Sequence, residues 1–543
     1  MLKLGNPLGP LTAWLRRRGA DLRTVPGRLR DLWRRRSVEQ LAAVVNFVAV
    51  TVALTYLVGL LFAHIKIVTQ PGPQEYNEPA IWHATWLLAH GRNPYTIQEL
   101  PGAAYCLGPL YNYVVLAFQP LLGIDYPAHR LIVLGFLGLA MWVMARAMRR
   151  AGAGLGIALL SVTFYYWMSL NNIEITARPD TMGLFFFVLG LFVPWARGYT
   201  RGSTIFGLLC ALIAFHCKSY FAVAGCATLL TYFLVRDRKE ACWLGVGFFA
   251  LLGLTFWLSC VLYPYFYIET VLVQRGGAEV NSRDDISLMH TIMLFERGWP
   301  YFLMMVVGLI GWMWRRRQVR RSGAVPDAAA RAKERAFMAL GASFVIFLAI
   351  VYFYMGHNAG AYFTYHLHLL FPLMFVLAAH AARPAWLRVA YGVMLTAFFL
   401  SWVTIPGVPD STAPYRRLER LGYSTNGEVL GIACMTDIFE RGGRRVLHNG
   451  NTMFMGFAFS EDRALHDAKV AALAQRYQET DSEVKTKVQN RSYAVVLTEF
   501  DDPYFCTADM LRKYYDKVEQ IDYYTYFGHS PVRVWRPKPV VRP

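Results

Sequence analysis

Eleven nearly uncharged apolar runs of membrane-spanning length follow one another along the chain. They fall at about residues 41–63, 131–147, 155–170, 182–196, 205–217, 221–235, 242–263, 300–314, 337–354, 362–379 and 387–405. Runs of this number and length exclude a soluble globular protein with one large apolar core. Composition agrees: 55% of the 543 residues are hydrophobic, only 17% are charged, and the mean hydropathy is +0.30. The chain reads as an α-helical polytopic membrane protein. Its 31 Tyr and 15 Trp suit a chain that crosses the water interface many times, where amphipathic rings sit well.

A twelfth apolar run, 108–124, is decided by charge. If it crossed, Arg146, Arg149 and Arg150 would fall outside and every later basic loop would invert with them. If it lies along the outer surface, all basic clusters share one side: the N-terminal arm, 146–150, Arg197 and Arg201, 236–239, 315–335, and Arg383 with Arg388. That side then holds 28 Lys and Arg against 8 on the other before residue 409, the bias expected of cytoplasmic loops. The run is therefore read as a surface-lying helix. The same placement accounts for the net charge of +19 through anionic headgroups rather than nucleic acid. Three regions follow: a basic cytoplasmic arm 1–40, a transmembrane module 41–408, and a soluble domain 409–543. The arm is too long for a cleaved signal peptide, so the first span is a retained anchor. The odd number of spans puts the last domain outside, with the first outer loop 64–130 and the second long outer loop 264–299.

The terminal domain reads as a small α/β unit. Residues 444–450 and 493–500 are predicted strands, and 471–487 and 508–520 predicted helices. Cys434 and Cys506 either pair in an oxidising compartment or stay free thiols. The five cysteines in or beside spans, Cys210, Cys217, Cys226, Cys242 and Cys260, are most simply apolar fillers.

Three outer features carry candidate chemistry. The first loop is long for a connector and holds Glu75 and Glu78, a predicted helix at 79–90, the turn GRNPY ending at Tyr95, and GPLYNY with Tyr111 and Tyr113. Against that, Glu75 also reads as a solvated loop acid, and Trp82 with Trp86 as an interface stripe. Next, Arg178 and Asp180 head one span, and Lys218 sits in the break between two others. The two cations suit a phosphate at headgroup level; the plainer reading is an Arg178–Asp180 pair plus a snorkelling Lys218. Finally, Gly276 and Gly277 beside Arg275 suggest a substrate-gated lid, and the break near 355–368 adds His357, Asn358, Tyr362, Tyr365 and His366. Histidines and acids here have no spacing diagnostic of a metal, so a divalent ion stays an open option.

The order of a basic arm, one span, NEPAIW with Glu78, GRNPY, GPLYNY and ARPD (177–180) resembles the GT-C superfamily of polyprenyl-phosphate-sugar glycosyltransferases. Within it, the chain looks most like the bacterial protein-mannosyltransferase-like and lipid A aminoarabinose transferase-like branch. The likeness covers about 41–405 in layout. It implies juxtamembrane helices in the first outer loop and a carboxylate there as catalytic base, which falls on Glu78 where many relatives have Asp. Many relatives also show Tyr-Pro-Pro-Leu where this chain has Leu107-Gly108-Pro109-Leu110.

The implied reaction is inverting transfer of a monosaccharide from a polyprenyl-phosphate donor to a hydroxyl of an extracytoplasmic glycan, lipid or protein. Glu78 would be the base, and Arg178, Lys218 and Arg275 would bind the donor phosphate. Glu75, Tyr95, Tyr111, Asp180, Asn358 and Tyr362 would contact substrate. No cofactor is required by this scheme, and a divalent metal is compatible with it. The setting expected is the inner membrane of a bacterium with the N-terminus cytoplasmic. Two alternatives stand: a lipid-linked sugar flippase or transporter, and an oligosaccharide ligase or polymerase using a lipid-diphosphate donor.

Overall fold

Over its described residues each predicted span falls on a helix or its helical end turns, apart from 403–405, which extend past the last one. A computed structural model describes residues 27–172, 175–273, 284–322, 328–355, 363–449, 467–499 and 505–539. The helices are α1 (Gly27–Val68), α2 (Glu78–Ala89), α3 (Leu110–Leu122), α4 (Tyr126–Ala151), α5 (Leu155–Leu170), α6 (Asp180–Ala196) and α7 (Arg201–Cys217). They continue as α8 (Val223–Val235), α9 (Arg238–Leu262), α10 (Asp284–Ser322), α11 (Ala328–Ile350), α12 (Thr364–Ala381) and α13 (Ala385–Trp402). Among the described residues, seven helices are long and apolar enough to cross a membrane by length and composition: α1, α4 and α9 to α13. The other predicted spans are α5, α6, α7 and α8 with its leading 3₁₀ turn, shorter apolar helices near the lower limit for crossing.

Packing separates core from rim. α12 is buried along nearly its whole length, between α10, α11 and α4. α1 packs on α5 and α13, and one side of it, with Phe47, Val58 and Phe62, stays exposed. Such uncovered apolar faces belong against lipid.

α3 has 13 residues, about 20 Å of helix, too short for a hydrocarbon core of about 30 Å. Tyr111, Asn112 and Val115 face inward, while Tyr113, Phe118 and Leu121 are exposed, Leu121 at 81%. One buried and one bare apolar side fit a helix lying in the interface.

The C-terminal sheet domain, called the soluble domain after its expected setting, comprises α14 (Thr412–Ser424), β1 (Glu428–Leu430), α15 (Thr436–Arg441), α16 (Ala468–Gln489), β2 (Tyr493–Thr498), α17 (Ala508–Tyr514), β3 (Tyr515–Thr525) and β4 (Gly528–Pro537). Its sheet runs β1-β2-β4-β3, with β1 parallel to β2 and the other pairs antiparallel. Alternation along the strands gives two apolar faces. Val495, Leu497, Val532 and Val534 pack with α14 and α15; Val496, Tyr515 and Trp535 pack with α16 and α17. Cys434 lies in the first layer and Cys506 in the second, both as free thiols, so the sheet itself separates them.

Two elements of this unit correct the sequence reading. Residues 508–520 are helical only to Tyr514, because the alternating stretch after it pairs with β4 from Tyr515↔Pro537 to Thr525↔Gly528. Residues 444–449 form no strand; they lie against the first outer loop, where Asn449 Nδ2 donates to Ala104 O at 2.9 Å.

Candidate active site

The first outer loop begins where α1 ends, and residues 69–77 run beneath the N-terminus of α2. The C-terminal domain grips this strap. Gln74 Nε2 donates to Ser411 Oγ at 3.0 Å, Ser411 Oγ to Gln70 Oε1 at 2.8 Å, and the Tyr526 amide to Gln74 Oε1 at 3.0 Å. Tyr523 donates its hydroxyl to Pro73 O at 2.7 Å. Closeness is strict at Gly72, where an added Cβ would sit 2.3 Å from the Tyr415 ring and 2.5 Å from Tyr523 Oη.

Two carboxylates emerge from the strap into opposite situations. Glu78, at the first position of α2, is wholly buried. Its Oε1 accepts from Arg130 Nε at 2.8 Å and the Ala177 amide at 2.7 Å; its Oε2 accepts from Arg130 Nη2 at 2.6 Å and the Gln74 amide at 2.5 Å. A carboxylate offers about four lone-pair positions, and all are filled. Arg130 is just as buried, and its remaining donors close on the carbonyls of Ile67, Gln70 and Gly72. Glu78 and Arg130 together fasten the end of α1, the strap, α2, α4 and the segment before α6. A base needs an open lone pair, and in this arrangement Glu78 has none.

Among the described residues Glu75 keeps one. Its Oε1 accepts from Asn77 Nδ2 at 2.9 Å and Arg178 Nη1 at 3.2 Å, while the partner of Oε2 among them is the Asn77 amide at 3.0 Å. Burial pushes its pKa up to about 7, opposed by Arg178 and reinforced by the nearby charge of Glu78. It is not the solvated loop acid that the sequence also allowed.

From Glu75 a chain of ion pairs continues through three further residues. Arg178 Nε meets Asp180 Oδ2 at 3.1 Å, and Lys218 Nζ meets Asp180 Oδ1 at 2.6 Å. The Arg178–Asp180 pair of the plainer reading therefore forms, yet Lys218 does not snorkel: it turns in, with 13% of its side chain exposed. Tyr220 and His368, joined at 2.8 Å, border the Lys218 end, with Lys218 Nζ 6.0 Å from the Tyr220 ring centre. Local sequence sets these positions: Pro179 precedes Asp180 at the start of α6, and Lys218 ends α7 in an extended conformation that breaks the helix.

The two rings expected to touch sugar, Tyr95 and Tyr111, are both packed into the protein. Tyr95 is fully buried against Tyr105, Tyr263 and Phe266 and donates to Leu107 O; Tyr111 is fully buried and donates to His129 O at 3.1 Å. Trp82 and Trp86 stack on each other with Arg441 of the soluble domain 5.5 and 5.9 Å from their rings, so they face protein rather than the interface. Arg275, Asn358 and Tyr362 lie outside the described residues, as do Gly276, Gly277 and His357. Among the described residues no group of three or more His, Cys, Asp or Glu side chains has metal-binding geometry.

Sequence reasoning missed Arg130. It was counted as one more outer cation, although a lone Arg at the head of an apolar span is a costly placement that calls for a partner. It also missed Asn77, whose amide and side chain both hold Glu75.

A polar cavity of about 430 Å³ opens where the loop meets the soluble domain. His83 and Glu440 meet across it at 2.7 Å, and Arg92 bridges Glu99 and Glu440. Burial would raise the Glu440 pKa, but His83 and Arg92 hold it below the usual carboxylate value. The two outer elements are thus locked together on both sides of α2.

No family model and no curated protein matches the chain. Among solved structures it is similar to apo ArnT from Cupriavidus metallidurans, with a TM-score of 0.41 and 16% identity over 82% of this chain and 80% of that one. The same protein bound to undecaprenyl phosphate gives a TM-score of 0.35 at 16% identity and the same coverage. The Archaeoglobus fulgidus oligosaccharyltransferase tethered to an acceptor peptide gives 0.43 at 10% identity, over 88% of this chain and 74% of that one.

Proposed function

We propose that the chain is a membrane glycosyltransferase that moves a monosaccharide from a polyprenyl-phosphate donor to a hydroxyl of an acceptor on the outer side of a bacterial plasma membrane. The observation that carries this reading is the buried relay Glu75–Arg178–Asp180–Lys218 at the head of the first outer loop. It sets an acid with a pKa near neutrality beside two cations suited to a phosphodiester.

Arg178 and Lys218 are the two members of the relay with some exposure. A donor phosphate arriving there competes for Arg178 Nη1, whose 3.2 Å contact with Glu75 is the longest in the relay. Losing that contact frees a second lone pair on Glu75. The acceptor oxygen then attacks the anomeric carbon from the face opposite the phosphate while Glu75 takes its proton. The bond between the anomeric carbon and the phosphate oxygen breaks, and the electron pair leaves with the lipid phosphate. Configuration inverts, and Arg178 and Lys218 stabilise the growing negative charge. Glu78 is a positioning residue: it holds the strap that presents Glu75.

Purified protein given radiolabelled polyprenyl-phosphate sugar and an acceptor mixture is expected to release lipid phosphate and label an acceptor, and Glu75→Gln is expected to abolish this. Consumption of a lipid-diphosphate sugar instead would make the chain a ligase or polymerase. Movement of intact lipid-linked sugar across vesicles would make it a flippase. Either outcome overturns the proposal.

A further inference from the structure

At the end of α1 remote from the relay, a slot of about 420 Å³ opens between α1, the α4–α5 turn, α5 and α13. Its walls are mostly apolar, from Ala42 and Val45 on α1 and Leu155 and Ile157 on α5, and Asn46, Arg149 and Arg388 also line it. From Asn46, beside the slot, to Val68 at the end of α1 is 22 residues, about 33 Å of helix. That is close to the thickness of the hydrocarbon core, so slot and relay lie at opposite leaflets.

Neither arginine has a carboxylate within ion-pair distance among the described residues. Arg149 Nη1 donates to Ala153 O at 2.9 Å, which fixes the guanidinium without neutralising it. Arg388 Nε is buried with no hydrogen-bond partner. Glu39 also lines the slot, but it is exposed and forms no ion pair with either arginine among the described residues. A buried guanidinium N–H left unbonded costs free energy that a phosphate oxygen would recover with a charge-assisted bond. An apolar slot under two uncompensated cations is complementary to a molecule with an acyl chain below a phosphate.

We propose that this slot binds an anionic glycerophospholipid of the basic-side leaflet, its phosphate held by Arg149 and Arg388 and an acyl chain lying between α1 and α5. The lipid would tie α1 to α5 and α13 at the end opposite the chemistry. The site is independent of the transferase reading and stands whether or not sugar transfer is found.

The test uses the full chain, delipidated in neutral detergent and given phosphatidylglycerol or phosphatidylcholine with the same acyl chains, read by native mass spectrometry and by Tm. Phosphatidylglycerol is expected to remain as a discrete adduct and to raise Tm more than phosphatidylcholine. Arg149→Gln with Arg388→Gln should cut that preference about tenfold, and Arg388→Lys should keep part of it. Arg197→Gln with Arg201→Gln, at another basic cluster, should leave it intact. Equal retention of the two lipids, an unchanged preference in the Arg149/Arg388 variant, or an equal Tm rise from inorganic phosphate alone would each overturn the assignment. If the double variant fails to fold, the wild-type lipid comparison and Arg388→Lys still decide.

Discussion

In the proposed mechanism Glu75 and Glu78, three residues apart in sequence, divide the work of one acidic motif. Glu78 gives all its lone pairs to Arg130 and two amides, so replacing it with Gln leaves Arg130 buried and uncompensated. Breaking a buried pair in this way costs about 3–5 kcal/mol. Glu78→Gln should therefore lower Tm in detergent and lose activity with it, whereas Glu75→Gln should lose turnover with the fold retained; a Glu78→Gln protein as stable as wild type yet inactive would return the base role to Glu78. The pH behaviour belongs to Glu75. Its folded pKa, about 7, is raised above the ordinary carboxylate value, so the base form is gained as pH rises and turnover should climb through about pH 7. Stability runs the other way: its contribution is full below the ordinary value of 4.5 and is lost as pH rises through about 7. Glu75→Gln, always neutral, should gain Tm relative to wild type as pH is raised from 5 to 8. Sequence order pointed to Glu78 because a motif shows which acid comes next to which residues. Which lone pairs are filled depends on Arg130 and Ala177, 52 and 99 positions away.

Elements explain what the sequence made legible. Spans and the α3 helix were readable because an apolar run needs no partner to declare itself: its environment is lipid. Residues 444–449 and 515–520 were misread because their state is set by tertiary partners, the outer loop in one case and β4 in the other. The first of these contacts is tight enough to test. At Gly102 an added Cβ would lie 2.1 Å from Val446 O, a backbone atom that cannot rotate away. Gly102→Ala should push the soluble domain off the loop, strain the Gln70–Gln74 strap it holds, and lower both turnover and protease resistance of residues 409–543. Unchanged proteolysis and full activity in that variant would show that the domain is not what positions Glu75.

On the scale of the whole molecule, charge and geometry divide the bundle into the same two ends by separate routes. The basic clusters define one end of the bundle by sequence alone, and the relay, the α3 helix and the soluble domain gather at the other by contact. Arg441 of the soluble domain pairs with Asp125 just after α3 at 2.6 Å, so residue 124 and the domain must share a compartment. Arg149 is 25 residues further along, and α4 carries the chain there in one unbroken helix of 26 residues, about 39 Å. That length crosses the hydrocarbon core. Single cysteines at 124 and 149, in a background with all eight native cysteines replaced, should therefore differ. An impermeant maleimide added to intact cells is expected to label the first and spare the second. Labelling at 149 alone would invert the bundle and place the relay on the cytoplasmic face. Labelling at both would mean that α4 does not cross, and the shared side of all basic clusters would then lose its physical basis.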